Sequence, residues 1–131
     1  MIVVDANVIA YLYLPTEHSK RAESLLERDP DWTAPILWRS EFRSILTGYL
    51  RRGLLALDQA VALQRAAEAQ LFGFEYEVES VSVLELVNDS ECSAYDCEYA
   101  ALAQHLDVRL VTMDKQLLRA FPQRAISLRT A

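Results

Sequence analysis

The chain has 131 residues and is 52% hydrophobic, which suits one compact domain, residues 1–131, with a core of its own. No run of about 18 uncharged apolar residues occurs, and the opening MIVV is broken by Asp5, so neither a membrane span nor a targeting segment is expected. The net charge of −6 argues against a general nucleic-acid coat protein but leaves open a phosphate substrate held through a metal.

Taken in chain order, the β-branched run MIVV predicts a strand, and ANVIAYLYL a helix that Pro15 stops. TEHSKRAESLLERD predicts a second helix, with Thr16 as N-cap and Ala22, Leu25 and Leu26 at helical spacing, closing near Pro30. WTAP is a brief strand. From Ile36 to Arg52 the apolar residues Trp38, Phe42, Ile45, Leu46 and Tyr49 recur every three or four positions before Gly53, the clearest helix of the chain. Asp58 caps a further predicted helix, Gln59 to Leu71, ended by Gly73. FEYEVESV alternates like a strand with one wet face, and VSVLELVNDS and SAYDCEYAALAQHL predict two helices. VRLVTM is then a strand, DKQLLRAF a short helix, and RAISL the last strand. Strands alternating with helices predict an α/β fold, a mostly parallel central sheet with helices on both faces.

Eleven of the 13 cations are arginine, with Lys20 and Lys115 the only lysines. Arginine suits bidentate contact with phosphate or carboxylate, although a solvated surface rich in arginine has the same composition. Cys92 and Cys97 have the spacing of neither a zinc knuckle nor a redox pair, so two free thiols in a cytoplasmic protein are expected. The run Tyr11, Leu12, Tyr13 and Leu14 holds more consecutive apolar residues than one helix face needs, so either the core, a partner or a second copy covers it.

Four acids stand out. Asp5 and Asp114 each end a predicted strand and begin a helix, at the edge of an α/β sheet where ligands bind, although an aspartate there can equally serve as a helix cap. Glu41 and Asp96 fall within predicted helices. At about 100° per residue, Glu41 borders the stripe of Trp38, Phe42, Ile45 and Tyr49, and Asp96 borders that of Tyr95, Tyr99, Leu102 and Leu106. Glu98 points roughly 160° away from Asp96 and is left outside the site. If the four acids converge, two carboxylates about 5 Å apart repel by roughly 3 kcal/mol at an effective dielectric of about 20. A divalent cation removes that cost. An oxygen-only set, with His18 and His105 isolated on helices and no thiolate expected nearby, suits Mg²⁺ or Mn²⁺ better than zinc. Such a pocket suggests phosphodiester chemistry, where metal activates water and balances charge on the leaving oxygen.

The segments IVVDANVIAYL, WRSEFRSIL, AYDCEYAALA and LVTMDKQLL, in that order, resemble the four acidic motifs of the PIN-domain ribonucleases, especially the small VapC-type toxins. The resemblance spans nearly the whole chain and implies a PIN-like three-layer fold. It also implies that Asp5, Glu41, Asp96 and Asp114 are catalytic, metal-binding carboxylates, supported by Asn7 and Thr112. It further implies a Mg²⁺- or Mn²⁺-dependent endoribonuclease, the toxin of a type II toxin–antitoxin pair, with an RNA substrate, a small antitoxin partner and a homodimeric state. Gln116 stands where some members carry another acid, which leaves a second metal open. Arg39 and Arg43, expected to be exposed beside Glu41, are candidate contacts to the RNA backbone. An RNA-processing nuclease of the same fold is the neighbouring alternative. A phospho-acceptor domain fits less well, because only one acid follows the first strand, as does a phosphatase, because Asn7 replaces the second acid of its motif. A non-catalytic interaction module is the remaining alternative.

Overall fold

In the computed structural model, which describes residues 1–131, five short strands form one all-parallel sheet in the order β3-β2-β1-β4-β5. The strands are β1 (Ile2–Val4), β2 (Trp32–Pro35), β3 (Glu75–Tyr76), β4 (Leu110–Thr112) and β5 (Ala125–Ser127). Between them run α1 (Ala6–Tyr13), α2 (Ser19–Arg28), α3 (Trp38–Arg51), α4 (Leu57–Leu71), α5 (Ser80–Asn88), α6 (Ala94–Leu106) and α7 (Lys115–Ala120). The expected α/β architecture is present. β1 is central and fully buried, with Val3 paired to both Thr33 and Leu110, which is why its three residues are all β-branched and apolar. Helices α1 to α4 pack against one another, while α5 pairs with α6 and α6 lies across β1, β2 and β4. Trp38 and Phe42, one turn apart on α3, are both fully buried and meet edge to face at 5.9 Å.

Several boundaries differ from the sequence expectation. β3 is two residues long, because Glu77 to Glu79 leave the sheet to enter α5, so most of FEYEVESV is not strand. Thr16 does not cap α2. Its hydroxyl accepts from His18 N at 3.1 Å in a turn that precedes the helix, which begins at Ser19. α4 starts at Leu57, ahead of Asp58, with Gln59 Oε1 accepting from Ala56 N at 2.8 Å. The strand in VRLVTM shortens to Leu110–Thr112, because Asp107, at φ 53°, closes α6 in the left-handed conformation and Val108 and Arg109 form the exit. Of the apolar run that ends α1, Leu14 is buried and Tyr11, Leu12 and Tyr13 pack partly buried against the core, with Tyr13 Oη donating to Gln70 of α4.

Arg39 is not the exposed residue expected from the helical wheel. Glu75 on β3 accepts from Arg39 Nε at 2.6 Å, Arg39 Nη2 at 2.7 Å and Trp38 Nε1 at 2.7 Å, and Arg39 Nη1 reaches Glu68 of α4 at 3.2 Å. A charge that the helical wheel places in solvent is thus shared by three elements. The two-pronged guanidinium bond holds the Glu75 carboxyl below the usual carboxylate range. A group lowered in this way stabilises the fold above its ordinary pKa and stops doing so as pH falls through the lowered value. We expect Glu75→Gln to lower stability by about 1–3 kcal/mol at neutral pH, by leaving Arg39 and Trp38 imperfectly paired. The deficit should shrink as acid protonates Glu75 in the unchanged protein. Urea unfolding of both proteins at pH 7 and below pH 4 checks this, and equal midpoints at pH 7 would refute it.

Candidate functional site

The strand order reverses between β1 and β4, since one connection leaves towards β2 and the other towards β5. Two chain segments part there at the carboxyl edge, leaving a crevice. Asp5 directly follows β1, and Asp114 stands two residues beyond Thr112, the end of β4. Asp5 occupies the N-cap position of α1 but makes no side-chain capping bond there. Its Oδ2 instead accepts from Thr112 Oγ1 at 2.7 Å, and the Thr112 hydroxyl in turn accepts from Asp114 N at 3.0 Å. Asp114 does cap its helix, Oδ1 accepting from Gln116 N at 2.8 Å and Leu117 N at 3.0 Å. The capping role open to both aspartates in the sequence therefore belongs to Asp114 alone.

Glu41 and Asp96 lie in the first turns of α3 and α6 rather than mid-helix. Ser93 starts α6, its Oγ accepting from Asp96 N at 3.0 Å, which sets Asp96 at the positive end of the helix dipole. Tyr99, one turn further on and 1% exposed, donates from its hydroxyl to Glu41 Oε1 at 2.6 Å. That bond joins α6 to α3. Asn7 is exposed and lines an open cleft with Asp5, Glu41, Ser44 and Ile45. Arg43 is exposed on the same helix as Glu41, with Nη2 donating to Ser40 Oγ at 2.9 Å.

The electrostatics tie the acids together. Burial raises the Asp5 carboxyl, the Thr112 hydroxyl and the Ala6 N–H oppose the rise, and the charges of Asp96 and Asp114 add to it. Glu41 is raised by burial and by Asp5, Asp96 and Glu98, against the lowering by Tyr99, and Asp96 is raised by burial and Asp114. The Tyr99 hydroxyl is pushed well above its ordinary value by burial and by the negative Glu41 and Asp5, so it stays a donor. In the rotamers present, no three Asp, Glu, His or Cys side chains are close enough to enclose one ion. The four acids share a field without sharing a ligand sphere. Glu41 and Asp114 are each pinned by hydrogen bonds through one oxygen, leaving the second without a protein partner, and Asp5 is oriented by Thr112. Such a set of oxygens has the hardness that Mg²⁺ and Mn²⁺ favour.

Four features were not legible in the sequence. Tyr99 reads there as core, and only the distance to Glu41 reveals its polar work. Glu98, placed outside the site by the wheel, is half-buried and within electrostatic reach of Glu41. Ser44, one turn after Glu41, joins the cleft lining. Cys92 lies near enough to Asp96 and Asp114 for their charges, with burial the larger cause, to raise its thiol, so a sulfur is closer than expected but is held protonated. His105 is exposed, whereas His18 is half-buried against Tyr11, ring centres 4.9 Å apart, and neither joins the acids.

A model of the PIN domain family matches residues 2–121. Ribonuclease VapC3 from Pyrobaculum aerophilum is 33% identical over 128 residues, covering 92% of this chain and 95% of the relative. Among solved structures, PAE2754 from the same organism superimposes with a TM-score of 0.73 at 25% identity, over 98% of this chain and 91% of the other. FitAcB from Neisseria gonorrhoeae superimposes with a TM-score of 0.76 at 18% identity over the full length of both chains, a likeness of fold. With a family match over nearly all its length and its acids gathered at the sheet's switch point, the chain belongs to the PIN-domain family, similar to the VapC-type ribonucleases.

Proposed function

We propose that residues 1–131 act as one domain, a metal-dependent endoribonuclease that is the toxin of a type II toxin–antitoxin pair, works as a homodimer and is inhibited by a small antitoxin protein. The observation that carries this reading is the gathering of Asp5, Glu41, Asp96 and Asp114 at the carboxyl edge of the sheet, where burial and, to a smaller extent, neighbouring acids raise the carboxyls of Asp5, Glu41 and Asp96, with no histidine or thiolate among them. Kinship with Ribonuclease VapC3 supports RNA as the substrate class. No helix is long and apolar enough to cross a membrane, in keeping with a site that meets RNA in the cytoplasm.

In this proposal the four carboxylates hold Mg²⁺ or Mn²⁺, which when bound supplies Lewis acidity and a lowered pKa for water. The chain's own residues provide position. Thr112 fixes the rotation of Asp5 and, through Asp114 N, the distance between the two loops. Tyr99 fixes Glu41, and the α6 N-terminus favours charge on Asp96. Asn7 and Ser44 offer uncharged polar contacts at the cleft wall, suited to a phosphate or ribose oxygen without adding to the negative field. Arg43 stands exposed on α3 as a phosphate contact, whereas Arg39 is committed to Glu75 and Glu68 and serves RNA only indirectly, by holding α3 in place.

Asp96→Asn should abolish Mn²⁺-dependent cleavage of single-stranded RNA while the fold survives. In EDTA its melting temperature should equal or exceed that of the unchanged protein, since a repelling charge is gone. A variant that melts clearly lower yet cuts RNA would end the metal role of Asp96.

The pH dependence has a defined sign. Asp5, Glu41 and Asp96 have folded-state values raised above the unfolded ones, so the stability they contribute is present below about pH 4 and lost as pH rises through the raised values. In EDTA the melting temperature should therefore rise as pH falls through the raised values towards about 4, the unfolded-state range, and saturating Mn²⁺ should flatten that trend. A metal-free melting curve that falls over the same window would contradict the shared field.

Arg43→Ala should reduce the salt slope of RNA binding by about 0.7, the share of one single-strand phosphate contact. An unaltered slope removes Arg43 from the contact set.

A further inference from the structure

A second cleft, separate from the acids, is lined by Lys20, Arg21, Ser24 and Arg28 of α2 together with Leu128 and Arg129 beyond β5. Helical spacing explains half of it: Lys20, Ser24 and Arg28 recur every four residues, Arg21 lies beside them, and Ala22, Leu25 and Leu26 turn the opposite face inward. The acids of this helix, Glu23 and Glu27, fall on the flank away from Arg21, on the side of Lys20, and form no ion pair with it. None of the four cations lies within ion-pair distance of a side-chain carboxylate, in a chain whose acids outnumber its bases 19 to 13. Arg21 Nη1 donates to Arg129 O at 2.9 Å and Arg28 Nη2 to Ala131 O at 3.0 Å, so the tail is laced to α2 through main-chain carbonyls. The side chains of Lys20 and Arg129 make no hydrogen bond and are exposed.

The position of the cleft gives it a direction. Leu128 N donates to Thr112 O at 3.2 Å, so Arg129 leaves the sheet at the same carboxyl edge as Asp5, one residue from the strand end that holds the Asp5 carboxyl. Tyr11, half-buried on α1, feels both regions: burial is the larger cause that raises its hydroxyl, with Asp5 and Glu17, and the Arg129 charge opposes them. Unpaired cations cost little in water but are conspicuous beside a site whose own acids repel any phosphate. Bidentate guanidinium groups on a rigid helix and a tethered tail suit a run of phosphates more than a single anion.

We propose that the Lys20–Arg21–Arg28–Arg129 cleft is a docking track for the sugar-phosphate backbone of single-stranded RNA, guiding the strand to the acidic crevice. The proposal rests on the nuclease reading above for the identity of the polyanion. The track carries no sequence information. It supplies charge where the crevice cannot, so strands long enough to span both clefts bind more tightly than short ones.

The test compares the unchanged protein with Lys20→Gln/Arg129→Gln, which removes two charges whose side chains hold nothing in the fold. A control, Arg65→Gln/Arg109→Gln, makes the same change in net charge on α4 and at the opposite edge of β4. Binding of a fluorescently labelled poly(U) 20-mer and a trinucleotide is followed by anisotropy in EDTA across a salt series, and cleavage of the 20-mer is measured with Mn²⁺. We expect the Lys20/Arg129 variant to bind the 20-mer on the order of tenfold more weakly, with a salt slope smaller by about 1.4 for two lost phosphate contacts. Trinucleotide binding and the control should stay unchanged. Cleavage of the 20-mer with unaltered binding in the variant overturns the track and leaves the nuclease reading intact. Tight, slope-sensitive binding without any cleavage keeps the track and overturns the nuclease reading. Loss of binding to an acidic peptide, with RNA binding unaltered, assigns the cleft to a protein partner and overturns the proposal.

Discussion

Like-charge repulsion at the carboxyl edge constrains much of what surrounds it. Asp5, Glu41, Asp96 and Asp114 stand at the N-termini of four different helices, α1, α3, α6 and α7. Each helix end offers about 0.3–1 kcal/mol of favourable field to a carboxylate, against roughly 3 kcal/mol of repulsion for a pair 5 Å apart. Helix ends moderate the repulsion without cancelling it, and Asp5, Glu41 and Asp96 remain raised in pKa, by burial first and by the neighbouring acids in addition. The sheet topology makes the gathering possible, because a parallel sheet sends every strand end and every following helix start to the same side.

The rigidity of the arrangement comes from neutral hydroxyls. Thr112 is fully buried and uses its single hydroxyl twice, as donor to Asp5 and acceptor from Asp114 N. Tyr99 is nearly so and spans from α6 to α3. A hydroxyl in these places orients a carboxylate without neutralising it, whereas an arginine would collapse the negative field into an ion pair. The contrast with Glu75 is instructive. There a carboxylate is meant to be consumed, Arg39 and Trp38 saturate it, and its pKa falls.

What could be read from the sequence follows the range of the physics involved. Strand and helix order was legible because apolar periodicity is local, and Asp5 and Asp114 were legible because a strand followed by an acid and a helix start is a local pattern. Glu41 and Asp96 were found from their motifs, but their placement in first turns depended on where Pro35 and Ser93 let the helices begin, and helical wheels carry no boundaries. The Arg39 pair with Glu75 joins residues 36 apart, Tyr99 with Glu41 spans 58, and neither leaves a mark in a window of ten. Glu98 shows the same limit. Its angle from Asp96 was read correctly from the wheel, but which neighbouring helix it would face was not.

The Thr112 to Asp5 bond closes a span of 107 residues, and the one from Tyr99 to Glu41 closes 58. In kinetic terms these are high-contact-order links, formed only after the long excursion through α5 and α6 returns the chain to β4 beside β1. The crevice is thus assembled from both halves of the chain and cannot be formed by β1, β2 and their helices alone. Opening α6 alone would remove Asp96 and release Glu41 in one step, because that helix carries both the third acid and the tyrosine that holds the second. The geometry that gathers the acids therefore depends on α6 staying docked, through Tyr99, against α3.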